Sequence, residues 1–303
     1  MDIVSLRTFL ALADTGSFSR AAESLHVTQP AISKRIAALE FSLDTRLFDR
    51  VGKRVQLTES GRALLPGSRR IIAEIDETQR VLSNIDERTH GVLSMATSHH
   101  IGLHRLPAVL REYRDHYPDV QLDIHSLDSD DAFPLLLRGE LELAVVTLPA
   151  DEIDQLSKIP LWSDPMQIVV ASHNDLFELD KLTTDRLIEM PVILQTPGTY
   201  TRELVESALG PIPRESIVLE SSYLETIKAM VQAGLGWSVL PESMIDDSLT
   251  PLMADTLALD RHLGVVIHRE RTLSNAANRM LETLGVDAGV GSAVDITPGD
   301  DEC

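Results

Sequence analysis

Cysteine is almost missing from this chain. Among 303 residues there is one, Cys303, at the last position. An intramolecular disulfide framework is therefore excluded, and the usage fits a reducing cytosol. Long apolar runs are missing too. None approaches the roughly 18 residues that span a bilayer, so no membrane partner is expected. The opening MDIVSLRTFLALADTGSF has no basic stretch ahead of a cleavable apolar one, and no signal peptide is expected. There is no GxSxG, no HExxH and no GxxxxGK[ST], nor a nucleophile and base at a spacing known to work together. No catalytic residue, no cofactor and no enzymatic activity are expected.

Positive charge is scarce, and unevenly so. The formal net charge is −20. Residues 1–66 carry nine Lys/Arg and seven Asp/Glu, a net of +2, whereas residues 91–303 carry 14 and 35, a net of −21. Such asymmetry points to a head that touches a polyanion and a body that repels it. A hydrophobic content of 43% is that of a globular protein, and the length suits two or three domains.

The head reads as helices. In 3-IVSLRTFLALA-13, apolar residues at 3, 6, 9, 10 and 13 share a face. Thr15-Gly16-Ser17 breaks that helix, and Ser17 can cap a second, FSRAAESL. After His26-Val27-Thr28, a third begins: QPAISKRIAALEFSL, with Thr28 as N-cap and Pro30 in the first turn. Two short helices joined by a three- or four-residue turn, with small Ala21 and Ala22 near it, form a helix-turn-helix pattern. Ile32, Ile36 and Leu39 should face the core. That leaves Gln29, Ser33, Lys34 and Ala37 on the opposite side, where the polar members suit base edges and phosphates. In LFDRVGKRVQLTESG, β-like runs around 47–51 and 55–57 flank Gly52-Lys53-Arg54, a hairpin with a cationic tip. Arg46, Arg50 and Arg62 can add phosphate contacts. Thr58 caps a further helix whose residues Leu64, Ser68, Ile71, Ile75, Thr78, Leu82 and Ile85 recur at alternating spacings of four and three. That seam predicts pairing with a second helix. Pro66-Gly67 should bend it.

The segments 18-FSRAAESLHVTQPAISKRIAALE-40, 47-LFDR-50 and 57-LTESG-61 resemble the N-terminal region of LysR-type transcriptional regulators, continuously over about the first 65 residues. The resemblance implies an α/β chain: a winged helix-turn-helix over 1–58, a linker and dimerisation helix over 59–88, and an effector-binding domain over 91–287. That last domain would resemble type 2 periplasmic binding proteins. Its first lobe would take 91–162 and 267–287 and its second 163–266. The stretch 288–303, rich in Gly and Asp, is expected to be disordered. Expected partners are double-stranded promoter DNA, a small-molecule effector and further copies of the chain, as a dimer or tetramer. The expected location is cytoplasmic. DNA contact is assigned to Thr28, Gln29, Pro30, Ser33, Lys34, Arg50, Lys53 and Arg54, and dimerisation to Leu64, Ile71, Ile75, Leu82 and Ile85.

From Gly91 the pattern itself turns to strand–helix alternation, with strand candidates at 92–97, 120–126, 141–147, 166–172, 191–195, 216–221, 236–241 and 263–268. Open α/β sheets bind ligands beyond the carboxyl ends of their strands. That rule selects Thr97, Ser98, His99 and His100; Thr147; and Thr196, Gly198, Thr199, Thr201 and Arg202. These stretches are rich in hydroxyls, and two of them open helices whose N–H groups favour an anion, so a carboxylate or oxyanion effector is expected. N-capping by Ser98 is expected beside it. Arg202 could clamp a carboxylate, or turn to Glu203 or Glu206.

The stretch 97-TSHHIGLH-104 holds three histidines. His100 and His104, at i and i+4, could share a helix face as in a two-His metal pair. No cysteine and no second ligand cluster follows, so no metal is assigned. His99 or His100 is read as a donor to the anion and His104 as structural. The alternative is a metal-dependent enzyme or metal sensor built on these three histidines and fused to a DNA-binding head.

Overall fold

The computed structural model describes residues 1–51, 54–85, 88–173, 183–252 and 259–286. The chain divides into two units, Met1–Ile85 and Asp86–Cys303.

The first unit opens with α1 (Ile3–Thr15), α2 (Phe18–Ser24) and α3 (Gln29–Ser42). Each boundary has a local cause. Asp2 accepts from Ser5 N at 2.7 Å and starts α1; Gly16, at φ 59°, ends it in the left-handed region. Ser17 accepts from Arg20 N and starts α2. Thr28 stands at the N-cap of α3 with extended backbone, as expected, although its side chain makes no cap bond; Pro30 in the first turn fixes the start. The wing strands β1 (Phe48–Val51) and β2 (Arg54–Leu57) pair antiparallel, Phe48 opposite Leu57. Glu40 on α3 anchors them by accepting from the N–H groups of Leu47 (2.7 Å) and Phe48 (3.2 Å). Phe9, Leu12, Ala21, Ile32, Ile36, Leu39 and Leu47 form the core.

The linker helix α4 (Glu59–Ser83) starts at Thr58, which accepts from Gly61 N at 3.0 Å. Its expected seam divides in two. Leu64 packs on the head's own core, and Ser68 is fully buried there. Ile71, Thr78, Leu82 and Ile85 stand exposed, as does Val81 beside the seam, and Ile75 is half-buried. Ion pairs Arg7–Asp76 (2.5 Å) and Arg69–Asp14 (2.7 Å) hold α4 to α1. The helix ends at Ser83 rather than near 88.

The second unit is built on β3 (Gly91–Thr97), β4 (Val120–Ser126), β5 (Leu143–Thr147), β6 (Leu156–Ala171), β7 (Val192–Leu194), β8 (Ile217–Glu220), β9 (Ser238–Pro241), β10 (Leu249–Leu252) and β11 (Leu259–His268). Between them lie α5 (His99–His104), α6 (Leu106–His116), α7 (Ser129–Arg138), α8 (Thr184–Glu189), α9 (Tyr200–Leu209) and α10 (Leu224–Gln232), with α11 (Asn275–Thr283) after β11. The hydrogen-bonded order is β10-β6-β11-β5-β3-β4, with β9 also on β6. Two long strands, β6 and β11, run antiparallel to each other and carry the sheet from one lobe into the other. β3, β4 and β5 are parallel in the first lobe; β7 and β8 are parallel in the second, joined to the rest through a Val192–Trp237 bridge.

Both faces of each lobe are covered. In β5, Leu143 and Val145 join one core while Ala144 and Val146 join the other; in β6, Ile168 and Val170 separate from Val169 in the same way. This is why these strands read as unbroken apolar runs.

Two expectations are corrected. The apolar pattern places a strand at 166–172, but β6 begins at Leu156, because Pro160 and Pro165 in LSKIPLWSDP hide a strand pattern. The resemblance puts the return to the first lobe at 267, yet Leu263–Ile267 already pair with Leu143–Thr147. The expected tail at 288–303 lies outside the described residues.

Candidate DNA-reading face and interlobe cleft

On α3 the buried stripe Ile32, Ile36, Leu39 fixes the opposite face. Thr28, Gln29, Pro30, Lys34 and Ala37 are exposed there, and Ser33 is half-buried. Gln29 Nε2 lies 3.5 Å from Ser33 Oγ, one turn apart, so two base-reading groups stand side by side. Of the wing cations, Lys53 lies outside the described residues, as do the side chains of Arg50 and Arg54; their backbones form the strands beside the tip.

In the second unit, a cleft encloses about 600 Å³ of empty space, part of it open to solvent. Its walls come from both lobes. Ser98, His99 and His100 follow β3; Asp128, Ser129 and Asp130 open α7; Thr147 ends β5; Thr199, Tyr200 and Thr201 open α9; Ser222 and Leu224 precede or begin α10. Gln195 and Arg261 form its floor. Thus Ser98, His99, His100, Thr147, Thr199 and Thr201 come together as expected. Thr97 is buried behind the wall and donates to Ser98 O at 3.2 Å. Thr196 pairs with Ser222 Oγ at 2.9 Å, beside the cleft, and Gly198 does not line it. Ser98 makes no side-chain cap bond, so its hydroxyl is not tied to α5. At α9 the capping role falls to Thr199, which accepts from Arg202 N at 3.4 Å.

Arg202 turns away from the cleft, which corrects its assignment as an effector ligand. It donates to Glu206 at 2.6 Å, to Gln195 O at 3.0 Å and to Glu220 at 3.3 Å, and is buried. Its charge is satisfied within the second lobe.

Arg261, not Arg202, lines the cleft, and sequence reading missed it. It is buried, donates to Asp164 Oδ2 through Nε at 2.7 Å, and reaches Thr201 Oγ1 through Nη1 at 2.9 Å. Asp164 and Arg261 sit opposite each other on the crossing strands. No local motif marks them; only the pairing of β6 with β11 brings them together. Asp128 and Gln195 were missed for the same reason. Burial, then the charge of Asp131, pushes the Asp128 carboxyl up from its ordinary value. Gln195 donates to Val239 O at 3.1 Å, and its Oε1 is buried without a hydrogen-bond partner.

The three histidines meet a residue from the other lobe. Glu225, on α10, has Oε1 2.9 Å from His104 Nε2 and 3.5 Å from His100 Nδ1, and Oε2 3.7 Å from His99 Nε2. Burial works against ionised Glu225, but its own N–H, His104 and the approach of His100 outweigh it and hold the carboxyl low. Burial, then the charge of Arg261, pushes the His100 imidazole down, so it is neutral at pH 7. His104, read from the sequence as structural, thus joins His100 on a carboxylate of the opposite lobe.

The second unit has the architecture of a two-lobed effector-binding domain and the first that of a winged helix-turn-helix. Comparison with known proteins agrees. Residues 86–287 match the LysR substrate binding domain, and residues 3–62 match the bacterial regulatory helix-turn-helix protein, lysR family. The chain is 30% identical over 285 residues to a probable RuBisCO transcriptional regulator of Nostoc sp., covering 90% of this chain and 84% of that one. It is 61% identical over 107 residues, 35% of this chain and 74% of the other, to an uncharacterized HTH-type transcriptional regulator in the ibpB-leuC intergenic region of Azotobacter vinelandii. The structure of a full-length OxyR variant from Pseudomonas aeruginosa superposes with a TM-score of 0.66 at 24% identity, over 94% of this chain and 93% of that one. The chain belongs to the LysR family of transcriptional regulators. It is a DNA-binding, effector-responsive regulator that acts on promoter DNA as an oligomer.

Proposed function

We propose that the regulator senses a small organic acid that also carries a hydroxyl or amino group. The carrying observation is that the cleft lining supplies both donors and acceptors. It offers hydroxyls on Thr199 and Thr201, and the first-turn N–H groups of α9 that no intrahelical carbonyl can reach. The carboxylate sits there, near the guanidinium of Arg261. The lining also offers acceptors: Asp128 and the unpartnered Oε1 of Gln195. A plain inorganic oxyanion would leave the Gln195 acceptor unsatisfied, at a cost of about 1–3 kcal/mol. The acid touches both lobes and so favours one arrangement of them, which is how a ligand shifts an equilibrium.

In this reading Gln29, Ser33 and Lys34 meet base edges. Thr28, Pro30, Arg50, Lys53 and Arg54 meet the backbone, and Ile71, Ile75, Leu82 and Ile85 join copies of the chain. The regulator performs no catalysis, and the cytoplasm is where it meets its promoter.

A thermal-shift comparison of 2-hydroxy and 2-amino acids with their unsubstituted parents and with sulfate tests the effector class, because a ligand bound to the native state raises the melting temperature. The substituted acids should stabilise the full-length protein, and Asp128→Asn should erase their advantage over the parents. Equal stabilisation by sulfate would overturn the proposal.

A further inference from the structure

We propose that His100, His104 and Glu225 form a binding site for one divalent transition-metal ion of the zinc class, placed where it ties the two lobes together. Neither family resemblance nor the hydroxyl-lined end of the cleft implies it. It does not rest on the organic-acid reading, because His104 and Glu225 stand outside the groups that would hold that acid.

The geometry carries the inference. One ligand atom from each of the three residues lies within 4.8 Å of the other two. Four-coordinate zinc binds imidazole nitrogen and carboxylate oxygen at about 2.0–2.2 Å, which sets neighbouring ligand atoms about 3.3–3.5 Å apart. The His100 Nδ1–Glu225 Oε1 separation is 3.5 Å, already at that value. The His104–Glu225 separation of 2.9 Å needs to open only slightly. The two imidazoles approach with ring centroids 4.8 Å apart, set one turn apart on α5.

An independent observation points to a ligand. His100 is 6% exposed, yet its buried ring nitrogens make no well-formed hydrogen bond: Nε2 has no partner and Nδ1 only approaches Glu225 Oε1 at 3.5 Å. The second carboxylate oxygen of Glu225 is in the same condition. Buried polar atoms are paired in the great majority of cases, and exceptions call for a reason. A cation between these groups supplies one. Two neutral imidazoles and one carboxylate give a ligand set of charge −1, suited to a divalent ion, and the fourth position is left for water. The cation on the cleft floor, Arg261, is neutralised by Asp164 at 2.7 Å. His100 and His104 belong to the first lobe and Glu225 to the second, so ion binding holds the cleft in the arrangement seen here.

Cobalt(II) is the probe, because its visible absorption reports a four-coordinate nitrogen and oxygen site directly. Full-length protein freed of metal with a chelator is titrated with Co²⁺. One equivalent per chain should produce saturable absorption, and Zn²⁺ should displace it. His104→Ala, on an exposed side chain, and Glu225→Gln should each weaken binding roughly tenfold or more, while Glu225→His should retain it. Absence of saturable absorption in the parent, or unchanged titrations in both weakening variants, overturns the proposal and leaves the cluster as a hydrogen-bonded clasp.

Discussion

Arg261 and Asp164 face each other across the two strands that join the lobes, and their side chains close a buried ion pair at 2.7 Å. Each is nearly inaccessible to water. Removing one partner strands the other charge, which costs roughly 3–5 kcal/mol. Arg261→Ala should therefore melt markedly below the parent. Arg261→Met combined with Asp164→Leu should recover most of that stability yet lose the response to effector, since Thr201 loses its partner. If the double variant still responds, Arg261 has no part in binding.

The DNA-reading face divides by role. Ser33→Ala should relax sequence preference at one or two promoter positions, a loss of about 1–3 kcal/mol against the preferred base only. Lys34→Ala and Arg54→Ala are distinguished by salt: a lost phosphate contact lowers the salt slope by about one and weakens all sequences alike. Gel-shift titrations on matched and scrambled sites check this. Identical behaviour of Ser33→Ala and Arg54→Ala on every sequence refutes the division.

The linker helix makes two separable predictions. Leu64 packs inside the head, so Leu64→Ala should lower head stability by about 1–3 kcal/mol without changing the oligomeric state. Leu82 and Ile85 are 61% and 76% exposed, so Leu82→Glu with Ile85→Glu should dissociate the oligomer without melting the head. Sedimentation and thermal melts separate the two, and a still-assembled double variant would move the interface elsewhere.

His100 sets a pH dependence. Its folded-state pKa lies below the ordinary value of about 6.5, so the unfolded chain takes up a proton more readily than the native one. The stability is fully present above about pH 6.5 and is lost as the pH falls through the lower folded value. His100→Gln cannot take up that proton, and its melting temperature should fall less between about pH 7.5 and pH 5.5. Parallel curves for parent and variant would remove His100 as the cause.

Much of this protein is written locally. The caps at Ser17 and Thr58, the buried stripe on α3 and the hydroxyls that end β3 and β5 are all readable, because each depends on neighbours within a turn or a strand. The opposite holds for β6, where prolines at 160 and 165 defeat a pattern search although the pairing with β11 tolerates them. Arg202 shows the limit in another way. Its place at the head of α9 and Glu206 as a possible partner were visible, but the choice against the cleft was completed by Gln195 O and by Glu220, 18 residues away.

The sequence by itself determined the helix-turn-helix, the wing, the strand–helix alternation behind the parallel strands β3, β4 and β5, and hence the family; the antiparallel pairings of β6 and β11, which make the sheet mixed, were not legible. Periodicity, capping and turn chemistry are short-range, and the family motif is continuous. Only the tertiary structure decided which charges face the cleft. Arg261 meets Asp164 across 97 residues of chain, and Glu225 reaches His104 across 121. Contacts at such separations are fixed by how two crossing strands align the lobes, and no local spacing records that alignment.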